Sequence, residues 1–293
     1  MPSVAIGGQA VLEGVMMRSP RYVSVAVRDP SGDLLAVTRP SDSLLQRYPW
    51  LGAPVLRGIA ALYDAVMLGA DAIVLSANAA AEGTPRRPMT GREAAVTLAG
   101  GLGVAVVLFF VIPTLAARLA VAVLASPLAL SLGEGGLRIA LVVGYIAAIG
   151  RIPDLARVYQ YHGAEHKAVN TFEQGLPLET GWVRTRSRFH PRCGTSFVLI
   201  VLLVSLIVFA MLGRPPLWIG VVERLLLLPV VAGVSYEILR LTGRAAFAGS
   251  AAAPGIWLQR LTTREPDDAQ IEVAIRALRG VVAAEARAGA PML

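Results

Sequence analysis

All the histidines and the single cysteine of this chain lie close together in the sequence, and both residue types bind transition metals. The chain has three histidines and one cysteine, at positions His162, His166, His190 and Cys193. Residues four apart share one face of a helix, so the first two histidines can offer two imidazoles to one ion. His190 and Cys193, three apart in a predicted turn, form a second potential pair of ligands. We therefore predict a metal site, and the mixed nitrogen and sulfur ligands favour zinc.

A glutamate between the two helical histidines raises the question of catalysis. Glu165 directly precedes His166, and the order His-x-x-Glu-His fits the inverted zincin pattern, in which the glutamate activates water. A catalytic site keeps one coordination position open, whereas three histidines and one cysteine would form a closed structural site. Glu237 is a further candidate ligand, and the alternative is that it simply anchors a helix end. The spacing leaves open both a zinc hydrolase, such as a peptidase, and a noncatalytic scaffold with structural zinc.

The composition is that of a membrane protein. Apolar residues make up 55% of the 293 residues and charged residues 16%, with a mean hydropathy of +0.61; soluble domains are about a quarter charged. The net charge of +7 does not indicate nucleic-acid binding, because aromatic residues are scarce and the basic residues do not form one polar domain. No basic region followed by an apolar run occurs at the start, so we expect internal segments to insert the chain.

Four apolar segments are predicted to cross the bilayer, whose hydrocarbon core takes roughly 20 residues of helix. They are residues 94–112, 137–149, 196–212 and 217–238. The second is short, and the number would rise if residues 116–132 dipped back into the membrane. No predicted span carries the chain of acids or histidines expected of an ion path, which disfavours a metal transporter.

Two further helices are expected outside these spans. Residues 53–78 look helical, with Arg57, Asp64 and Asp71 spaced seven apart along one face. Each charge costs about 2.5–3.5 kcal/mol near the bilayer centre, so an interfacial helix is favoured over a span. Near the end of the chain, Asp267 begins a predicted capping box, which starts an amphipathic helix expected to pack on the cytoplasmic side.

The N-terminal region is predicted to form β-structure. Residues 22–27 and 34–38 alternate apolar and polar positions and are separated by the turn-forming residues 29–33, which indicates a β-hairpin. The glycine-rich residues 7–18 precede it and permit tight turns and close backbone approach.

The distribution of basic residues predicts the orientation in the membrane, because short cytoplasmic loops carry an excess of arginine and lysine. The loop of residues 153–195 holds far more of them than residues 113–136 or 213–216. The middle loop, and with four spans both termini, are therefore expected in the cytoplasm. The basic residues of the middle loop are Arg157, Lys167, Arg184, Arg186, Arg188 and Arg192, against Arg118 and Arg214 in the other two.

We therefore expect a mainly α-helical polytopic membrane protein with about four transmembrane helices and a small N-terminal β-hairpin region. Its partner is the lipid bilayer, not nucleic acid. The predicted regions are 1–50, glycine-rich segment and hairpin; 51–93, interfacial helix and linker; 94–152, first two spans; 153–195, cytoplasmic loop with the metal site; 196–240, last two spans; and 241–293, C-terminal cytoplasmic helix.

These motifs together resemble a bacterial family catalogued as domain of unknown function 1385, whose members are sometimes labelled predicted metal-dependent membrane enzymes. The resemblance covers nearly the whole chain and implies a metal-dependent membrane protein. It also directs attention to Gln9, Glu13 and Arg18, polar residues that could reach the metal loop or could support the hairpin. The matching strings lie at residues 7–18, 161–167, 190–197, 236–237 and 261–266.

Overall fold

The protein is mainly helical with one small sheet near its N-terminus, as predicted. The computed structural model describes residues 4–81, 88–122, 126–213, 216–242 and 253–289. A π-helical turn at Val107–Val111 and 3₁₀ turns at Pro49–Gly52 and Ala120–Ala122 accompany the α-helices. These helices are α1 Leu44–Arg47, α2 Leu56–Ala81, α3 Gly91–Val106, α4 Ile112–Leu119, α5 Pro127–Ile149, α6 Pro153–Glu173, α7 Thr180–Arg184, α8 Gly194–Ala210, α9 Leu217–Thr242, α10 Ala253–Thr262 and α11 Asp268–Arg287.

The sheet is an antiparallel meander in which each strand pairs with the next, in the order β1-β2-β3-β4. The predicted hairpin is confirmed as β3 and β4, and the glycine-rich segment forms a second hairpin, β1 and β2. Glu13 turns the chain between β1 and β2 with a φ of 49°, in the left-handed region. The strands are β1 Gly7–Val11, β2 Gly14–Arg18, β3 Tyr22–Arg28 and β4 Leu34–Pro40.

Helices cover both faces of the sheet. One face carries Val15, Met17 and Ala26, which are buried against α6 and α11. The other carries Met16 and Val25, which are buried against α2. Alternate residues of a strand point to opposite faces, so the sequence alternation produces this three-layer arrangement. It fixes α6, the helix with two of the histidines, against β1 and β2.

The C-terminal helix is capped as its sequence predicts. The Asp267 side chain accepts from the backbone N–H of Gln270, whose side chain accepts in turn from the Asp267 N–H. This capping box satisfies backbone donors that the first turn leaves free. The apolar face of α11 then packs on α6 and the sheet, and Glu285, buried near its end, accepts hydrogen bonds from Ser19 and Arg21.

Four helical segments are long and apolar enough to cross a membrane. They are Leu56–Ala81, Gly91–Leu119, Leu128–Ile149 and Leu217–Leu241. A fifth apolar helix, Gly194–Ala210, is shorter but packs against α5 and α9. The protein is therefore a multi-pass membrane protein in composition and architecture.

The predicted start of the second span is wrong. Helix α5 begins at Pro127 instead of residue 137, so Glu134 and Arg138 lie inside it. They are tolerated because Glu134 pairs with Arg138, at 2.8 Å, and with Arg224 of α9, at 3.1 Å. Predicting spans from composition treats each charged residue as isolated in lipid. Paired charges inside a helical bundle cost much less free energy to insert.

Pro113 does not end the first span, because the helical path continues through it from Gly91 to Leu119. Proline lacks an N–H, so the carbonyl four residues earlier, that of Phe109, loses its helical donor. Arg138 supplies a replacement, with its Nε donating to the Phe109 oxygen over 2.8 Å. Thr114 donates to Glu134 beside it. The intramembrane charges therefore stabilise a proline-containing helix.

Candidate metal centre

Helix α6 presents His162 and His166 on successive turns of one face, as predicted. Their ring centroids lie 4.4 Å apart in an edge-to-face arrangement. A neighbouring face of the helix carries Tyr161, Ala164 and Ala168, which are buried against the sheet and α11. The histidines are thereby turned away from the sheet and toward the segment that leads into α8.

The segment that leads into α8 is bound to α6 by hydrogen bonds from α6 side chains. Lys167 Nζ donates to the carbonyls of Arg184 and Arg186 at 2.9 and 2.8 Å. Asn170 Nδ2 donates to the carbonyls of Ser187 and Phe189. These bonds run along one helix face, so the returning chain passes directly over the histidines.

Cys193 joins the two histidines at the start of α8. It is the N-cap of that helix, and its Sγ lies 3.3 Å from His162 Nε2. His162, His166 and Cys193 each offer one ligand atom, and these three atoms lie within 4.8 Å of one another. A helix N-terminus favours negative charge, and the Thr195 N–H also points at the sulfur, so the position suits a thiolate ligand.

Backbone carbonyls hold both histidines in one tautomer. His162 Nδ1 lies 2.9 Å from the Thr262 carbonyl, and His166 Nδ1 lies 2.6 Å from the Arg188 carbonyl. A carbonyl only accepts, so each Nδ1 carries the proton and each Nε2 presents its lone pair to the group. Metal-binding histidines are oriented in the same way, by a hydrogen bond from the other ring nitrogen.

The donor set fits a tetrahedral zinc ion. In a tetrahedral site, zinc bonds of about 2.0–2.1 Å to nitrogen and about 2.3 Å to sulfur place a nitrogen and a sulfur about 3.6 Å apart. The distance from His162 Nε2 to Cys193 Sγ is 3.3 Å, and the three ligand atoms lie within 4.8 Å of one another, so small side-chain movements would bring them to this geometry. Burial lowers the pKa of His166 and so favours the neutral imidazole that binds metal. Two nitrogens and one sulfur leave one position of a four-coordinate ion for another ligand.

Glu165 lies at the edge of this group. Its Oε2 is 3.6 Å from His166 Nε2, and its side chain is 7% exposed. Burial raises the pKa of this carboxyl, against the opposing effect of nearby His162 and His190. The Gly8 backbone N–H donates to it, and a Cβ on Gly8 would lie 2.6 Å from Glu165 Cγ. The close approach expected of the glycine-rich segment occurs here.

His190 is close to the group but faces away from it. Its Nε2 lies 3.3 Å from Glu173 Oε2, and its Nδ1 accepts from the Arg192 backbone N–H. The Glu173 carboxylate also pairs with the Arg192 guanidinium. Both ring nitrogens of His190 therefore have partners outside the group, so this geometry brings together three of the four predicted histidine and cysteine ligands.

Glu237 is also outside the group. Its carboxylate accepts from Arg57 Nε at 2.7 Å and from the Val55 backbone N–H. This contact joins the start of α2 to the end of α9, beside the close packing of Gly58 on Gly233. The structure therefore places Glu237 in a helix-anchoring role, the alternative that the sequence left open.

The three polar residues of the glycine-rich segment have separate positions. Glu13 accepts from Arg157 Nε and Nη2, both at 2.6 Å, and from the Tyr161 hydroxyl, which ties the β1–β2 turn to α6 one turn before the histidines. Gln9 packs against Gly69 of α2. Arg18 ends β2, and strand alternation places it on the same α2 face. Gln9 and Arg18 therefore face away from the metal group.

The sequence did not predict that residues 261–266, at the end of α10 and just after it, hold His162. The Thr262 carbonyl accepts from the histidine, and the Arg264 N–H donates to the Tyr159 carbonyl. A Cβ on Gly163 would lie 2.1 Å from the Arg264 oxygen, so only glycine fits there. A glycine inside a helix, next to the first histidine, was the available signal for this crossing.

Comparison with known proteins shows the family of this chain. Residues 53–284 match the model of the family described as a protein of unknown function (DUF1385). The chain belongs to this family. It is also 34% identical to the uncharacterized protein YqhQ of Bacillus subtilis (strain 168), over 96% of this chain and 93% of that protein. No solved structure gives a significant match to this chain.

Proposed function

We propose that this protein is a metal-dependent hydrolase, with zinc the favoured ion and an amide such as a peptide bond the favoured substrate, acting at the cytoplasmic membrane surface. One observation carries the proposal. Three ligand atoms converge with Glu165 beside them, while His190 is held elsewhere by Glu173. A three-ligand site with a neighbouring carboxylate is typical of catalytic zinc, whereas structural sites use four protein ligands.

The residues of the chain have distinct roles in this proposal. Bound zinc would supply a Lewis acid and a water of lowered pKa. Glu165 accepts the proton of the attacking water and returns it to the leaving group. The Gly8 N–H helps to hold Glu165 in place, and burial raises the pKa of its carboxyl, which suits a group that must both take and give a proton near neutral pH.

The place of the site in the chain supports action at the membrane surface. Cys193 begins the apolar helix α8, and α6 follows the apolar helix α5 after Gly150. The positive-inside rule puts this end, and both termini, in the cytoplasm.

Helix α2 is proposed to lie in the interface on the same side. Its outward face exposes apolar side chains, with two exposed aromatic residues just before it, while its inner face binds the sheet. Such a helix seats its apolar face at the headgroup level. The exposed residues are Tyr48, Trp50, Tyr63, Val66, Met67 and Ile73.

A noncatalytic scaffold with structural zinc is the alternative. It is favoured by the way the group joins α6 to the start of α8 across a loop already bound by Lys167 and Asn170. In that case Glu165 would be dispensable, and a fourth protein ligand, such as a reoriented His190, would close the site.

Substituting Glu165 by glutamine separates the two functions. We expect Glu165→Gln to keep the metal of the wild type and to lose hydrolysis by at least about a hundredfold, since general base catalysis contributes 10²–10⁴-fold. Metal content of purified protein and turnover of a library of peptides and esters in detergent are the measurements. Asp154→Asn, the matching change at an exposed carboxyl in the first turn of the same helix, is the control and should retain turnover. Full turnover by Glu165→Gln would contradict the hydrolase mechanism.

A further inference from the structure

We propose that this protein forms a two-fold dimer in the membrane by pairing β4 of one copy antiparallel with β4 of another. The inference concerns a surface remote from the metal group and does not rest on the hydrolase proposal. An exposed edge strand is a template for pairing with another chain, and natural proteins usually cover or blunt such edges.

Strand β4 is the free edge of the sheet. It is the last strand in the order, and all seven of its residues are exposed. Three of them are large and apolar: Leu34, Leu35 and Val37 are 36%, 39% and 48% exposed. Within the described residues, no backbone hydrogen bond outside the sheet ladder involves residues 34–39.

One register of pairing places opposite charges together. In a pair of identical antiparallel strands, the two-fold axis passes beside a residue and not between two residues. This holds because a residue and its partner must both direct their N–H and C=O groups toward the other strand, or both away from it. With Ala36 at the axis, Leu35 lies opposite Val37 of the second copy, and Asp33 opposite Arg39. The two-fold axis repeats both pairs. Moving the axis to residue 35 or 37 loses the match between Asp33 and Arg39.

The side chains in these pairs lie on one face. Arg39 binds Asp71 of α2 at 2.9 Å, whereas Thr38 donates to Ser24 on the face toward α11. By strand alternation Leu35 and Val37 share the α2 face with Arg39. Asp33 is the exposed turn residue just before β4, and extending the alternation by that one residue puts it on the same face. The guanidinium of Arg39 is exposed enough to bind Asp71 and a second carboxylate, because its side chain is 52% exposed. Cross-strand opposite charges and apolar pairs each stabilise such a ladder.

The symmetry agrees with the proposed position of the protein in the bilayer. The two-fold axis of an antiparallel pair is perpendicular to the sheet, and the sheet lies on α2, whose outer face is proposed to rest on the membrane. The axis then runs along the membrane normal, as it must for two copies inserted in the same direction. Confinement to one membrane also raises the effective concentration of the two edges.

Disulfide trapping in native membranes tests the dimer. In Ala36→Cys the two new thiols face each other across the axis, with Cα atoms about 4.5–5.5 Å apart, which suits a disulfide. We expect mild oxidation to give a covalent dimer. Leu35→Cys is the matched control, because its two cysteines are offset by two residues along the strands, about 8 Å apart and beyond disulfide reach. The unsubstituted protein controls for Cys193, which is buried.

The charge pairs give a second measurement. In the Ala36→Cys background, Asp33→Arg should lower the trapped fraction severalfold, and reversing all three charges, with Asp33→Arg, Arg39→Asp and Asp71→Arg together, should restore it. Equal trapping of Ala36→Cys and Leu35→Cys would show random collision, trapping of another protein would show a different partner, and no trapping would show a free edge. Each of these results overturns the dimer.

Discussion

Two of the buried polar clusters among the described residues are built differently. Inside the helical bundle, the Glu134 carboxylate binds Arg138, Arg224 and Thr114. Arg138 also donates to the Phe109 carbonyl, which has no helical donor because of Pro113. In the metal group, by contrast, hydrogen bonds from the outer ring nitrogens leave two imidazole lone pairs and a thiol facing one another.

The difference shows how a structural cluster can be told from a ligand-binding one. In the bundle, each charged group finds an opposite charge or a backbone partner within the chain, so the cluster needs no ligand. In the metal group the lone pairs of His162 and His166 converge with Cys193, and electron pairs that face one another gain stability from a shared cation. Burial alone does not distinguish the two, because Arg138 and His166 are both almost fully buried.

The largest loss of stability is expected from substitution of Glu134 in the helical bundle. Glu134→Leu leaves Arg138 and Arg224 buried without their shared carboxylate, and breaking a buried ion pair costs about 3–5 kcal/mol. Thermal unfolding in detergent should show this loss. Replacing Glu134, Arg138 and Arg224 by leucine together should recover much of it, because an apolar set of similar volume removes the unpaired charges. Equal destabilisation by the single and triple variants would contradict the structural role.

An intermediate effect is expected where the segment after α10 crosses α6. Gly163→Ala places a Cβ against the Arg264 carbonyl and should displace the neighbouring Thr262 carbonyl that orients His162. We expect about 1–3 kcal/mol of lost stability, and a metal affinity about 10–100-fold weaker. Metal titration and thermal unfolding measure the two. Gly181→Ala, where a Cβ meets open space, is the control and should keep full affinity. Unchanged affinity in Gly163→Ala would remove the orienting role.

The smallest effect concerns Glu13. The Arg157 side chain holds the pKa of this carboxyl below its usual value, so its contribution to stability is present at neutral pH and is lost as the pH falls below about 4. Since both side chains are partly exposed, Glu13→Gln should cost no more than about 1 kcal/mol at pH 7. Unfolding midpoints across pH should converge for wild type and variant in acid. A difference between the two unfolding midpoints that widened in acid would refute this role of the Glu13 carboxylate.

The sequence predicted the helical histidine pair, the hairpin and the capping box of α11, because each depends on residues close in the chain. It did not predict that His190 would turn to Glu173, since a pattern of ligands carries no information about competing carboxylates. Glu173 lies seven residues after His166 on the same helix face, a signal that could have been used. The early start of α5 was missed because Glu134 and Arg138 find partners far along the chain.

Metal content of the purified protein tests the central claim most directly, in wild type, His166→Ala and His190→Ala. A three-ligand site predicts about one metal ion per wild-type chain, a near-complete loss in His166→Ala and retention in His190→Ala, because His190 is bound by Glu173 and Arg192 outside the group. Wild-type protein without metal, or equal loss in both variants, would contradict the account.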